Sequence, residues 1–164
     1  MEYSKSKKSL LILVILLLLI GAAYMLTAGD FSFLSKQSVK NDQTGVEVKY
    51  VQLDQAKTDA EKLPQGFPEG IPVEAAVVTE SYAAKYQDPP ATQYTVTFRT
   101  SKSVEAKYKE CVDYLTAEGY QISEGDKNAP VKTLQATKAN DDFLAVISKL
   151  GSSTQVQVGF LDRP

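Results

Sequence analysis

QYTVTFRTSKSVEAKYKECVDYLTAEGY, running from Gln93 to Tyr120, changes from a period of two to a period near 3.6 within a few residues. In its first part Tyr94, Val96 and Phe98 alternate with Thr95, Thr97 and Arg99, which places the apolar set on one face of a strand. The opposite face is expected to be solvated, as antiparallel sheets permit. In its second part Val104, Tyr108, Cys111, Val112 and Leu115 form one stripe of a helix over Ser103 to Glu118. Ser101 or Ser103 can cap it, Glu105 sits near the positive dipole end, and Gly119 offers a left-handed stop. Lys102, Glu105, Lys109 and Asp113 take the other side, with Glu105 and Lys109 in the favourable i,i+4 orientation. A half-apolar strand leading into a half-apolar helix predicts a helix laid on a sheet.

Downstream, Tyr120 to Ser123 reads as a strand start and Glu124 to Pro130 as a polar loop. Thr133–Lys138 and Phe143–Leu150 form a hairpin around Ala139-Asn140-Asp141-Asp142. After the turn Gly151-Ser152-Ser153, TQVQVGF points Val156, Val158 and Phe160 inward and Gln155 and Gln157 outward. Upstream, Ala75 to Tyr82, extending toward Tyr86, reads as a strand closed by Asp88-Pro89-Pro90. Pro64, Gly66, Pro68, Gly70 and Pro72 interrupt regular structure before it. Val46 to Val51 alternates as a short strand, and Asp54 to Leu63 is a helix candidate with Asp54 as its cap but little apolar face. The fold class expected is α+β: an N-terminal transmembrane helix, then a mainly antiparallel sheet with one helix packed on one face.

The run LLILVILLLLIGAAYMLTA, Leu10 to Ala28, is 19 residues without a charge. At 1.5 Å per residue it spans about 28 Å, close to a bilayer's hydrocarbon core. Lys5, Lys7 and Lys8 precede it, so the positive-inside bias keeps residues 1–9 cytoplasmic and sends everything after Asp30 outside. The competing reading is a signal peptide cleaved near Ala23, with Gly21 and Ala23 as the small residues. Both readings export the rest of the chain. No cysteine near the run permits a lipoprotein anchor. A type IV pilin reading lacks the glycine before the run and the acid inside it. Residues 29–63 are read as a stalk with a short strand and helix, and residues 64–164 as the extracytoplasmic α+β domain.

From Phe67 to Phe160 the chain resembles a small α+β domain of unknown function found in exported, membrane-anchored or lipoprotein-type bacterial proteins. The likeness rests on Phe67-Pro68-Glu69-Gly70-Ile71-Pro72 before a strand, on the threonine-rich Thr97-Phe98-Arg99-Thr100 leading to a serine-capped helix, and on Gly119-Tyr120 closing it. It departs at Val73-Glu74-Ala75, where that group often has Tyr-Pro-Gly. The resemblance implies the fold and an exported location, and no activity.

Composition narrows the chemistry. The chain has no histidine and one cysteine, which removes Ser-His-Asp and Cys-His catalysis, the common histidine-containing zinc sites and any internal disulfide. Beyond residue 29, 15 basic residues face 19 acidic ones, which argues against nucleic acid as a partner. Cys111 falls mid-helix on the apolar stripe and reads as core. Ser101-Lys102-Ser103 and Ser148-Lys149 are adjacent pairs facing different ways, unsuited to a Ser-Lys dyad. Glu124-Gly125-Asp126-Lys127-Asn128 and Asn140-Asp141-Asp142 read as turns rather than calcium or glycosidase sites. No catalytic residue, cofactor or metal ligand is assigned.

What remains is an excess of tyrosine, nine in all with no tryptophan. Tyr82 and Tyr86 fall on one face of an extended strand and are the candidate interaction surface, able to take a peptide or a glycan through their rings. The expectation is a single-pass, non-enzymatic module at the bacterial envelope with the membrane and an envelope protein or glycan as partners. The alternatives are an envelope enzyme running on Glu124, Asp126, Asp141 and Lys149, and an accessory subunit whose helix joins others through Gly21-Ala22-Ala23.

Overall fold

The computed structural model describes residues 39–41, 45–126 and 128–164. Eight strands form one antiparallel sheet: β1 (Val39–Asn41), β2 (Val46–Tyr50), β3 (Val78–Gln87), β4 (Pro90–Thr100), β5 (Gln121–Glu124), β6 (Val131–Lys138), β7 (Asp141–Leu150) and β8 (Ser153–Asp162). The order across the sheet is β1-β2-β3-β4-β8-β7-β6-β5. One helix, α1 (Val104–Ala117), stands between β4 and β5. The strands therefore make two meanders, and the last strand returns to the middle to pair with β4.

The register fixes which side chains share a face. Tyr94, Val96 and Phe98 lie opposite Phe160, Val158 and Val156, which lie in turn opposite Phe143, Ala145 and Ile147. These three rows, with Leu134 and Ala136 of β6, build the core under α1. Val104, Cys111 and Leu115 of the helix are buried against them. Each fully buried aliphatic or aromatic side chain of this set adds about 1.5–3 kcal/mol. Ser103 caps α1 by accepting from the Ala106 N–H at 3.1 Å, and Gly119 leaves it at φ 77°. The pair that forms on its outer side is Lys109 with Asp113, one turn beyond the expected Glu105–Lys109 pair.

Beside α1, the segment from Leu63 to Val73 covers the rest of the same face. Leu63, Phe67, Ile71 and Val73 pack on the core, and the Phe67 ring meets Tyr94 edge-on at 6.3 Å. Pro64, Pro68 and Pro72 punctuate an irregular strap whose apolar residues pack on the core, with Phe67 against Tyr94 of β4.

Several sequence expectations change. The threonine side of β4 is not solvated: Thr95 is 0% exposed and Thr97 4%. β4 is central, with long paired strands on both flanks whose side chains close over it. The helix expected from Asp54 to Leu63 is reduced to a 3-10 turn at Ala60–Lys62, because that stretch has no apolar face to bury. Ala75–Val77 is likewise a 3-10 turn, and β3 starts at Val78. Within the stretch read as stalk, β2 pairs with β3 and β1 pairs with β2, so the sheet extends upstream of Pro64.

The segment 10–28 lies outside the described residues. Among the described residues no helix is long and apolar enough to cross a membrane.

Candidate functional site

α1 and the Leu63–Val73 strap share one face of the sheet, and the register places Tyr82 and Tyr86 on the other. Residues of matching parity share this second face: Tyr82 opposite Thr95, Ala84 opposite Gln93, and Tyr86 opposite Ala91. Tyr50 of β2 lies opposite Tyr82, with ring centroids 5.2 Å apart and planes at 46°. Three tyrosines on two neighbouring strands therefore make one aromatic patch.

Hydrogen bonds fix the patch from below. The Tyr86 hydroxyl donates to Gln93 Oε1 at 3.0 Å, and Gln93 Nε2 donates to Thr95 Oγ1 at 3.3 Å. The Tyr82 hydroxyl lies toward Thr95, its partner in the register. Because these phenols reach from β3 to partners on β4, their rings lean across the strand, which accounts for the burial of Gln93 and Thr95. Beside them Thr97 Oγ1 donates to Glu80 Oε2 at 3.4 Å.

The electrostatics follow from burial. The Tyr82 hydroxyl is pushed up to about 12, chiefly by burial, against a lowering hydrogen bond from Thr95 and with the Glu80 charge adding to the rise. Burial also raises Tyr50 and Tyr86. Glu80 is held above the usual carboxylate range by burial, partly offset by its hydrogen bond from Thr97. The tyrosines are therefore neutral hydroxyls at any physiological pH.

Charge is distributed unevenly between the two faces. On the second face the register places Glu80 beside the tyrosine patch, half-buried and accepting from Thr97, with Arg99 farther along β4 and Asp142 paired with Arg163. Between them stand tyrosine, threonine, glutamine and aliphatic side chains. Glu47, Lys49, Lys85, Lys132, Lys138 and Lys149 instead fall on the helix side, toward the sheet's ends. An uncovered sheet face would ordinarily carry the charges. Here the face that carries no helix among the described residues is the less charged of the two.

Two other features involve titratable groups. Lys107 of α1 is 0% exposed. Its Nζ donates to the Pro72 carbonyl at 2.7 Å and to Glu110 Oε2 at 3.1 Å, lies 3.6 Å from Glu74 Oε1, and sits 4.9 Å from the centre of the Phe98 ring. Lys102 and the Thr100 hydroxyl complete the set by reaching the same two carboxylates. Every polar member has a partner, and the cluster joins the strap to the helix. A cavity of about 540 Å³ lies at the start of α1, lined among others by Ser103, Glu105, Asn128, Lys132 and Lys149.

The acids and lysine considered for catalysis do not converge. Lys149 lines that cavity, whereas Asp141 begins β7 and stands about 26 Å away along the strand. Asp126 accepts from the Asn128 N–H in its own turn, and Glu124 ends β5. The Cys111 thiol is buried and pushed up to about 11, chiefly by that burial, which disfavours the nucleophilic thiolate. Among the described residues no group of three or more His, Cys, Asp or Glu side chains could hold a metal ion.

Tyr82 and Tyr86 were visible in the sequence through the parity of one strand. Tyr50 was missed, although it shares the parity of Val46 and Val48, because nothing local says that β2 pairs with β3. Lys107 was missed because its charge hid its place on the buried stripe, three residues after Val104 and four before Cys111. No protein-family model, curated protein or solved structure matches the chain.

Proposed function

We propose that this chain is a single-pass protein of the bacterial envelope whose α+β domain, displayed outside the cytoplasm, binds a partner through the face of its sheet opposite α1. In this reading the 10–28 segment is the membrane anchor, residues 1–9 stay in the cytoplasm, and the domain acts by contact rather than by catalysis. The observation that carries it is the patch of Tyr50, Tyr82 and Tyr86, with Glu80 beside it, on the less charged face of the sheet. Aromatic enrichment and loss of charge mark the centres of binding surfaces. The anchoring half rests on the 19-residue apolar run and the lysines before it.

Two measurements test the two halves. A periplasmic-type reporter enzyme fused after Pro164 should be active and membrane-bound in cells, and a reporter active only in the cytoplasm overturns the topology. A photo-crosslinking amino acid at position 50, 82 or 86 should give adducts in living cells, while the same group at Lys109 on the outer side of α1 should not. Equal labelling at both places sinks the assignment of the face.

A further inference from the structure

We infer that the partner of the tyrosine face is a neutral glycan chain, a polymer of uncharged sugar rings lying across the strands. The inference rests on the docking face proposed above and adds the chemistry of the ligand. The Tyr50–Tyr82 pair presents ring surface, with Tyr50 38% exposed, and the C–H faces of a sugar ring pack on such surface. Across the sheet from that pair, hydroxyl and amide groups are interleaved with the half-buried Leu144 and Val146 of β7, which suit the C–H faces of a sugar as the rings do. Gln155 and Gln157 of β8, then Thr133 and Gln135 of β6, share the face and are half-buried or exposed. From β2 to β6 these rows span five strand spacings, about 24 Å. That length accommodates several sugar rings and exceeds what a single small molecule would use.

The same observations disfavour other occupants. Nucleic acids and anionic lipid surfaces call for a cluster of lysine and arginine, whereas the strand lysines lie on the helix side and Arg99 stands without a neighbouring strand cation on this face. A second copy of this chain would call for a more apolar centre, since homodimer interfaces are the most apolar class. Here Gln93, Thr95 and Thr97 are buried, and the surface beyond them sets Gln155 and Gln157 beside Leu144 and Val146, a mixed centre. A protein partner is anchored by side chains seated in pockets. Ring faces flanked by hydroxyls and amides suit a flat, hydroxyl-rich ligand better.

The test uses the full-length chain in detergent micelles with two uncharged probes, the hexamer of N-acetylglucosamine and the hexamer of glucose. Because the chain has nine tyrosines and no tryptophan, its intrinsic emission reports on tyrosine directly. Saturable binding of at least one hexamer is expected, changed less than twofold by 0.5 M salt. Tyr50→Ala and Tyr82→Ala should each weaken it tenfold or more. Tyr50→Ala removes a ring at 38% exposure near the sheet's edge, so it keeps the test valid where Tyr82→Ala unfolds the chain. Absence of saturable binding to both hexamers, with crosslinks from position 82 still confined to a protein, overturns the glycan and leaves the docking face standing. Absence of both binding and face-specific crosslinks removes the two readings together. Binding that survives Tyr50→Ala and Tyr82→Ala in folded protein also overturns the inference.

Discussion

The Nζ of Lys107 donates to the carbonyl oxygen of Pro72 across 2.7 Å, with no solvent access to the lysine side chain. One helix residue thereby holds the end of the Leu63–Val73 strap, and Glu110 and Glu74 balance its charge. Lys107→Met keeps the stem against Phe98 but leaves the Pro72 carbonyl unpaired and removes a cation from two carboxylates. It should cost about 2–3 kcal/mol, read as a lower urea midpoint with an unchanged slope. A variant as stable as the parent would show that the strap is held by its apolar residues alone.

Glu110 and Glu80 should pull stability in opposite directions with pH. Burial pushes the Glu110 carboxyl up, but hydrogen bonds and charges from Lys102 and Lys107 outweigh it and hold it below the usual value. Its contribution is full above the unfolded value of about 4.3 and is lost as pH falls through the lower folded value. Glu80 is raised, so its contribution is full below about 4.3 and is lost as pH rises through the higher folded value. Glu110→Gln should therefore destabilise at pH 7, and the difference should shrink as pH falls through the lowered folded value. Glu80→Gln should stabilise at pH 7. Denaturation curves at pH 3, 5 and 7 decide it, and a pH-independent offset in both variants contradicts the assignment.

Gly66 and Gly119 both have positive φ, 86° and 77°, but differ in what surrounds them. A Cβ at Gly66 would stand 2.8 Å from the Tyr94 hydroxyl, whereas one at Gly119 meets nothing within 4 Å. Gly119→Ala should cost about 1 kcal/mol, the conformational term alone. Gly66→Ala should cost about 2 kcal/mol or more, because the Phe67–Tyr94 contact must also shift. Thermal melts of the pair compare them directly; equal costs would mean that Tyr94 moves aside freely.

Cys111 should be inert. With its thiol buried and pushed up to about 11, a disulfide reagent at pH 8 should leave the native protein unmodified and react fully once urea unfolds it. Rapid labelling without denaturant would show α1 leaving the sheet on the timescale of the reaction.

The helix, its serine cap and the inward rows of β4 and β8 were legible in the sequence because each is a local period. Ser103, Gly119 and the Tyr94-Val96-Phe98 alternation need no knowledge of distant residues. The burial of Thr95 was not legible, since it depends on β3 and β8 flanking β4 and on two phenols leaning across it. The same holds for the aromatic patch. Tyr82 and Tyr86 share a parity within ten residues, whereas Tyr50 joins them only through pairing between strands 32 positions apart. Asp54–Leu63 failed for the converse reason: its residues favour a helix, but propensity without an apolar face does not sustain one.

The return of β8 to the sheet's centre makes the molecule divisible. β1 to β4 with the strap form one four-stranded half; α1 with β5 to β8 forms the other, and the covalent link between them runs from Thr100 to Val104. Until β4 meets β8, each half presents a long bare edge of nine or more unpaired residues. Such edges template the addition of foreign strands. The two halves, expressed as separate polypeptides, carry the register needed to recognise each other along Thr92–Thr100 and Thr154–Asp162. A cut within the short link would therefore leave an assembled sheet, while a chain stalled before β8 would expose the most adhesive surface the fold possesses.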